Sequence, residues 1–416
     1  MKLRELATSS DNPARAASDW PPVVIAGGFQ TGVLAVRGLA RRGVRAFCVD
    51  ANPRNPAFRS VYGPAHLCPN PEAEPEAWAR FMVDLARSIG GKPALISSSD
   101  QFTAAIARHH KELGTAYVMC PGWRLQGLLA DKQTQYELAQ SAGMPMPRTV
   151  VVRDVSDAES FCAEATFPCL IKPKHFREWQ RFPAGHPLSY RKVSIASTSE
   201  QLLQGYELAA RINPTVILQE IISGADTDKR VYLGCYDRQG KRVANAMFRE
   251  LRCDPMGFGP ASISEPVVDE ETDEVCDRFL RRIGYIGICE IEMKRDSRDG
   301  RVKLIEANPR LSGGGDAAPY AGVDLCWIHY LDLIGIPVHP VAPQRVDFRH
   351  VVLRSDGKAL PSYWRAGALS WRDLRRSYRR PLAFYDLDAG DWLYSLETLA
   401  VAGRSLVVGM LGKHKA

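Results

Sequence analysis

Hydrophobic and polar positions alternate with two different periods over the first third of the chain. The stretches 31–42 and 78–89 place apolar residues at helical spacing, and Gly43 ends the first of them. Three short apolar runs around them have the length of buried strands: 23–26, 44–50 and 94–100. Strands that alternate with helices predict an α/β unit with a parallel, doubly wound sheet over residues 21–130. Residues 1–20 show no such pattern and are expected to form a flexible tail.

The pattern changes after residue 130. Residues 131–214 combine a helix at 132–142 with a proline-rich turn and apolar strands, and residues 215–340 are rich in strands. This grouping of strands predicts α+β architecture for both sections. Residues 341–416 follow the run IPVHPVAP and are predicted to form an appended, basic C-terminal extension.

Acidic residues collect on one predicted hairpin, in which GICEIEM and VKLIEAN are strands joined by a polar turn. Side chains alternate faces along a strand, so Glu306 and Asn308 share a face, as do Glu290 and Glu292. Folding the hairpin brings Glu292 opposite Glu306. We therefore expect Glu292, Glu306 and Asn308 to converge as hard oxygen ligands for Mg²⁺. The alternative is an edge hairpin whose acidic face is only solvated.

Basic side chains near these strands are candidates for anion binding. Arg310, two residues beyond Asn308, can offer a bidentate fork to a phosphate or a carboxylate. Lys132 begins a helix, Lys172 lies in the apolar strand CLIKPK, and Lys192 begins a later strand. Each lysine taken alone is better explained by a snorkelling or surface position. Lys172 stands out because an ammonium in a buried strand needs a partner.

Two further segments have a polar residue pattern at a strand end. Gln219–Ile222 could present backbone groups to a purine edge, with Asp226 accepting from ribose hydroxyls; the alternative is a plain strand and turn. Ser98, Ser99 and Asp100 follow the third strand of the first sheet, where open α/β sheets bind ligands. A helix N-cap, which Ser99 or Asp100 would serve well, is an equally good explanation.

Composition narrows the class of protein. The 416 residues are 45% hydrophobic and 24% charged, which is ordinary for a globular chain and excludes disordered and fibrous proteins. The ten cysteines are scattered without a C-x-x-C pair, which indicates reduced core thiols. The first twenty residues contain no apolar run of the kind a secretory signal needs. We therefore expect a cytoplasmic protein.

The net charge of +7 is unevenly distributed. Residues 341–416 hold 13 Lys and Arg against 7 Asp and Glu, so six of the seven surplus charges belong to this extension. The rest of the chain is close to neutral, which argues against a nucleic-acid partner, because such binders concentrate basic residues on one face.

Taken together, these motifs resemble the ATP-grasp superfamily, in its carboxylate–amine ligase branch. The similar segments run in the expected order over about residues 22–340: GGFQTGVLAVRGLARRGVRAFCVD, ADKQTQYELAQSAGMPMPRT, LIKP, LQEIISG and IEANPR. The resemblance implies a pre-ATP-grasp domain over 21–130, a small lobe over 131–214 and a large lobe over 215–340. The stretch FRELRCDPMGFG also resembles a segment of one subgroup of these ligases.

The resemblance implies a reaction and a set of roles. ATP would activate a small-molecule carboxylate as an acyl phosphate, which an amine would attack to form an amide. One or two Mg²⁺ ions, or Mn²⁺ in their place, would be bound by the hairpin ligands. The implied catalytic residues are Arg310, Lys172 and Arg252. The implied nucleotide-binding residues are Lys132, Lys172, Lys192, Gln219, Glu220, Ile222, Asp226 and Arg249. The expected substrate-binding residues are Ser98, Ser99, Asp100, Arg252 and Arg310.

One segment departs from the pattern of many ATP-grasp enzymes, which have a glycine-rich loop after the IKP strand. Here the body of 174–191 is HFREWQRFPAGHPLSYR, with a single glycine. A glycine-rich loop can lay its backbone on phosphates, whereas this bulkier one cannot do so along its length. Transfer of a substrate from the D-alanine ligases is therefore not warranted.

Two other functions are considered. A dinucleotide-dependent oxidoreductase could use Gly27, Gly28 and Gly32 with Asp50, but the spacing is GGxxxG and not GxGxxG, and the acidic hairpin stays unexplained. A non-catalytic protein could bind phosphates or a lipid surface weakly through the arginines of 371–380, for which a solvated helix face is the preferred explanation. A homodimer is left open.

Overall fold

A computed structural model describes residues 20–411, apart from 175, 190, 192, 342, 343 and 385. Its first sheet is wholly parallel, with the order β3-β2-β1-β4. The strands are β1 (Val23–Ala26), β2 (Ala46–Asp50), β3 (Ala65–Leu67) and β4 (Ala94–Ser97). The helices are α1 (Gln30–Ala40), α2 (Pro75–Ile89), α3 (Asp100–Arg108) and α4 (His110–Ala116). The predicted α/β unit is confirmed.

The second sheet is antiparallel, with the order β5-β8-β6-β7. Its strands are β5 (Thr149–Val152), β6 (Cys169–Pro173), β7 (Ser194–Ala196) and β8 (Val216–Glu220). The helices before and around it are α5 (Trp123–Ala130), α6 (Lys132–Ser141), α7 (Val155–Glu164) and α8 (Ser199–Ala210). The predicted boundary at 214 therefore falls too early, because β8 lies between β5 and β6 in this sheet.

The third sheet has seven strands in the order β13-β12-β9-β10-β11-β14-β15. The strands are β9 (Lys229–Tyr236), β10 (Arg242–Cys253), β11 (Ala261–Pro266), β12 (Gly287–Arg295), β13 (Val302–Asn308), β14 (Arg349–Val351) and β15 (Leu382–Phe384). The helices are α9 (Glu270–Arg282), α10 (Leu325–Leu333), α11 (Leu353–Arg365), α12 (Trp371–Ser377) and α13 (Trp392–Met410). Short 3-10 turns occur at Pro56–Arg59, Phe176–Arg181, Asp226–Asp228, Gly313–Asp316 and Ala318–Ala321.

The C-terminal extension is part of this third unit and not an appendage. Its strand β14 pairs with β11, and β15 pairs with β14. A buried ion pair also ties it to the first domain, because Asp391 accepts hydrogen bonds from Arg37 at 3.0 Å and from Ser60 at 2.7 Å. Within the described residues, no helix is long and apolar enough to cross a membrane.

The loop that follows β6, within the segment 174–191, packs into the core of the second sheet. Trp179, Phe182 and Leu188 are buried there, and the Phe182 and His186 rings stack with centroids 4.0 Å apart. The bulk that distinguishes this loop from a glycine-rich one is thus used for packing.

Candidate active site

The three sheets border one cleft of about 1480 Å³. It collects residues from the ends of β1 and β4, from α6, β6 and β8, and from the face of the third sheet. Every predicted site residue that the structure describes lines it: Ser98, Ser99, Asp100, Lys132, Lys172, Gln219, Glu220, Ile222, Asp226, Arg249, Arg252, Glu292, Glu306, Asn308 and Arg310. Lys192 lies outside the described residues.

The acidic hairpin forms as expected from its period of two. In the β12–β13 register, Glu292 is directly opposite Glu306, and Glu290 is opposite Asn308. Burial and the neighbouring Glu306 carboxylate raise the pKa of Glu292 well above its usual value. The Glu292 carboxylate has no hydrogen bond or ion pair with any described residue. Two facing carboxylates, one of them unpaired, form a site that favours a cation.

Glu290 organises the neighbouring ligand. Its Oε1 accepts from the Asn308 amide at 3.1 Å, and its Oε2 accepts from the Gly314 N–H at 3.0 Å. A side chain at Gly314 would collide, since a Cβ there would lie 2.3 Å from Glu290 Oε2. No three His, Cys, Asp or Glu side chains in the described chain converge as a metal cage. The predicted set of two carboxylates and one amide is the donor group that the hairpin brings together.

Arg310 joins the first domain to this hairpin. Its Nε and Nη2 donate to the two carboxylate oxygens of Asp100 at 2.6 and 2.9 Å, and Nη2 also donates to Asn308 Oδ1 at 3.1 Å. Burial alone would lower the pKa of Arg310, but the Asp100 carboxylate raises it above the ordinary value. The two predicted substrate-binding residues Asp100 and Arg310 therefore meet in one fork-to-carboxylate pair.

The two serines beside Asp100 have local partners. Ser98 Oγ donates to the Gly27 carbonyl at 2.9 Å. Ser99 caps α3, since its Oγ accepts from the Phe102 N–H at 3.4 Å. The capping explanation is thus realised for Ser99, and contact of either serine with a substrate stays a prediction.

The two described lysines of the predicted set face the cleft from different elements. Lys132 begins α6, which Asp131 caps, and its Nζ lies 3.5 Å from Glu306 Oε2; this carboxylate raises the pKa of Lys132. Lys172 is buried in β6, where its Nζ donates to Gln219 Oε1 at 2.6 Å and Tyr136 Oη at 3.3 Å. The expected partner for an ammonium in an apolar strand is therefore Gln219.

The end of β8 forms the opposite wall. The Gln219 amide accepts a hydrogen bond from Lys172 and donates one to Thr149. The Glu220 carboxylate accepts from the Thr166 N–H at 2.8 Å. Ile222 is buried against the cleft, and its N–H has no hydrogen-bond partner among the described residues. This free donor beside an apolar side chain suits the edge of a planar heterocycle.

Asp226 lies at the mouth of the third unit. Its Oδ2 accepts from the Gly257 N–H at 3.2 Å and from the Tyr363 hydroxyl, and its Oδ1 is 3.5 Å from Lys229 Nζ. Tyr363 belongs to α11, so a helix of the C-terminal extension holds this predicted ribose ligand.

The two arginines of FRELR differ. Arg249 pairs with Glu265 and remains partly exposed to the cleft. Arg252 is 1% exposed, and its guanidinium donates to both oxygens of Asp356 at 3.0 Å, to Ser377 and to Tyr378. Its side chain is 2% exposed, against 17% for Arg310, so the geometry favours a positioning role for Arg252 over the predicted contact with phosphate or acyl group.

Comparison with known proteins identifies this arrangement. No family model matches the chain. Curated relatives include a D-aspartate ligase of Enterococcus faecium, 29% identical over 231 residues that cover 53% of this chain and 53% of the relative. A D-alanine–D-alanine ligase of Pseudomonas entomophila is 26% identical over 194 residues, covering 44% and 54%. The chain thus spans about half the length of the curated relatives it matches.

Solved structures align over most of the chain. An N5-carboxyaminoimidazole ribonucleotide synthetase in complex with ADP aligns with a TM-score of 0.61 and 14% identity, covering 84% of this chain and 85% of the other. A biotin carboxylase of Campylobacter jejuni aligns with a TM-score of 0.61 and 17% identity, covering 80% and 75%. These relatives and solved structures are ATP-grasp enzymes, and the chain shares their fold. The resemblance stated from its motifs is confirmed.

Sequence reasoning missed three residues that line the cleft or contact residues lining it. Tyr136 contacts Lys172, and its spacing of four from Lys132 on one helix could have indicated a shared face. Glu250 lies between the two predicted arginines and is 3.1 Å from Lys229 Nζ. Nothing in the local sequence indicates that Asp356 pairs with Arg252, because 104 residues separate the two in the chain.

The glycine turn of the first domain is closed by its own hydrogen bond and packing. Asp50 Oδ2 accepts from the Gly28 N–H at 2.6 Å, and a Cβ on Gly32 would lie 1.8 Å from the Gly27 carbonyl oxygen. The acid that a dinucleotide would need for its ribose is therefore occupied, which disfavours the oxidoreductase alternative.

Proposed function

We propose that the chain is an ATP-dependent ligase that joins a small-molecule carboxylate to an amine, with release of ADP and phosphate. The observation that carries this proposal is the facing pair Glu292 and Glu306, with Lys132 beside it and Arg310 at its end, all in one cleft. The names of the curated relatives, ligases of D-aspartate and of D-alanine, support the reaction class.

ATP would lie between the second and third sheets. Lys132 and Lys172 bind its phosphates, Ile222 packs on the adenine with its N–H toward the ring edge, and Asp226 accepts from the ribose. Gln219 and Tyr136 hold the Lys172 ammonium in the cleft, because both offer it oxygen atoms as hydrogen-bond acceptors. Glu220 and Arg249 complete the nucleotide wall, as does Lys192.

A magnesium ion fits the donor set of the hairpin. Glu292, Glu306 and Asn308 offer hard oxygen atoms, and the unpaired Glu292 carboxylate beside Glu306 is costly without a cation. One or two such ions, or Mn²⁺, would neutralise charge on the transferring phosphoryl group. Glu290 positions Asn308 through its amide hydrogen bond.

The chemistry proceeds by positioning and electrostatics. A carboxylate oxygen of the first substrate attacks the γ-phosphorus, the bond to the β–γ bridging oxygen breaks, and ADP leaves with its electron pair. The amine then attacks the acyl carbon, phosphate leaves, and the amine proton is lost. Arg310 stabilises the anionic oxygens in both steps, since its guanidinium is held at the cleft by Asp100.

ADP release tests this proposal. We expect ADP formation that depends on a carboxylate and an amine supplied together from a panel of amino acids and related compounds. Glu306→Gln should lower the rate about a hundredfold or more without changing the thermal midpoint substantially. Glu274→Gln removes an exposed carboxylate of α9 and should act like the parent. Undiminished ADP release in Glu306→Gln would contradict the site.

The small-molecule partners follow from this reaction class. The cytoplasmic location and the homodimer stay predictions, and weak membrane contact through 371–380 has no support from the relatives.

A further inference from the structure

The exposed face of α13 is almost entirely apolar. At 100° per residue, its exposed positions fall within one sector of about 140°. Seven large apolar residues in or next to this helix are each 50–72% exposed: Trp392, Leu393, Leu396, Leu399, Val407, Met410 and Leu411. Ala400 and Gly403 lie between them, and Arg404 at the edge is the single charged residue of the sector. We call this sector the α13 face.

The opposite side of α13 is firmly packed, so the helix is held with this face outward. A Cβ on Gly357 of α11 would lie 2.6 Å from the Ala402 carbonyl oxygen, and one on Gly409 would lie 2.6 Å from Pro361. These small residues allow the two helices to approach closely. At the first end of the helix, Asp391 is buried against Arg37 of the first domain.

An exposed pair of tryptophans lies at the C-terminal end of the α13 face. Trp364 lies one turn beyond Pro361, at the same end of the helix pair as Met410, and its ring makes an edge contact with Trp371 at 4.7 Å. Both indoles are exposed, Trp371 by 73%. Arg404 within the face, and Arg375 one turn from Trp371 on α12, are exposed and form no salt bridge with any described residue.

The acidic residues of α11, α12 and α13 already form ion pairs or a helix cap. Asp356 pairs with Arg252, Glu397 with Arg59 and Arg354, and Asp373 caps α12 through Ser370. The exposed charge around the α13 face is therefore positive, in agreement with the surplus of the C-terminal extension. This charge is complementary to an anionic surface.

We propose that the α13 face docks on an anionic lipid bilayer, with α13 lying in the plane of the interface. An apolar helix face with arginines at its edge is the pattern of an interfacial helix. Indoles prefer the headgroup level, where Trp364, Trp371 and Trp392 would lie. The helix does not span the bilayer, and no described residue of α13 lines the cleft of the proposed ligase.

Vesicle flotation of the full-length chain tests this docking. We expect the protein to float with equimolar phosphatidylcholine and phosphatidylglycerol vesicles, and much less with phosphatidylcholine alone or at high salt. The double variant Leu396→Glu and Val407→Glu should lower the partition coefficient at least about tenfold, because two apolar side chains no longer enter the acyl region. Its thermal midpoint should match the parent, since both side chains are exposed.

The matched control replaces two exposed apolar residues elsewhere, Ile195→Glu and Val268→Glu, and should float like the parent. Absence of flotation on the anionic vesicles, or equal flotation of the Leu396/Val407 variant, would overturn the proposal. A parent that does not float but is a dimer in sedimentation equilibrium, and becomes a monomer in that variant, would assign the face to a second copy. Flotation requires no enzymatic activity, so it is independent of the ligase test.

Discussion

Single carboxylates show how position along a strand becomes chemistry. Glu292 and Glu306 were paired from the alternation of side chains alone, and the structure places them in register. What their environment adds is burial, which penalises the charged form of Glu292, and repulsion from Glu306. Such a pair lowers the stability of the folded chain, and in the proposed function a cation bound between the two carboxylates would relieve the repulsion.

Glu292→Gln should separate stability from activity. The pKa of Glu292 is higher in the folded protein than in the unfolded chain. Ionisation of Glu292 therefore destabilises the fold once the pH exceeds the pKa that this residue has in the unfolded chain. We expect the variant to have a higher thermal midpoint than the parent at about pH 8, with a difference that shrinks toward about pH 5. ADP release should fall about a hundredfold or more. A lower midpoint at the higher pH, measured without magnesium, would show that Glu292 is not under charge repulsion.

Arg252 marks the limit of residue-level prediction. Its place between Glu250 and the end of β10 was compatible with a role toward phosphate, and the strand does border the cleft. The guanidinium is nevertheless buried with Asp356, because burial of an arginine requires a carboxylate partner and α11 supplies one.

At the scale of elements, the C-terminal extension supports the cleft. β14 and β15 continue the third sheet beyond β11. In α11, Asp356 accepts a hydrogen bond from Arg252, and Tyr363 donates one to Asp226. Local periodicity indicates that the section containing β9 to β13 is rich in strands. It does not indicate that two short strands, more than eighty residues beyond β11 in the chain, extend the same sheet. Deleting 341–416 is therefore not a neutral change.

Asp356→Asn should be strongly destabilising. The change leaves the Arg252 guanidinium buried and uncompensated, which costs about 3–5 kcal/mol for a pair of this kind. Urea unfolding should show this loss. The double variant Arg252→Met and Asp356→Leu should recover much of it, because it removes both charges. Additive losses in the double variant would contradict a coupled pair.

At the scale of the molecule, α10 lies at the junction of the first domain and the third sheet. His329 on this helix is 4% exposed, and a Cβ on Gly287 of β12 would lie 3.5 Å from its ring. Burial lowers the pKa of His329 to about 4, and that of the buried His350 likewise to about 4. Both imidazoles are therefore neutral in the folded protein near neutral pH.

The junction should weaken in acid. The folded pKa of His329 lies below its unfolded value of 6.5, so its contribution is complete above that pH and is lost as the pH falls toward about 4. Between about pH 7 and about pH 5 this amounts to about 2 kcal/mol. In His329→Leu, the fall in the free energy of unfolding over that range should be smaller by this amount. Equal pH dependence in parent and variant would exclude His329 as the cause.

The sequence by itself determined the local elements and the residue types available for chemistry. Period-two alternation paired Glu292 with Glu306, apolar context singled out Lys172, and strand–helix alternation predicted the parallel sheet. Only the tertiary structure decided which of these groups have partners. In the tertiary structure, Lys172 donates hydrogen bonds to Gln219 and Tyr136, Arg310 donates to Asp100, and Arg252 donates to Asp356. The physical reason is that periodicity reports which face a residue is on, whereas ion pairs and strand order depend on burial between segments far apart in the chain.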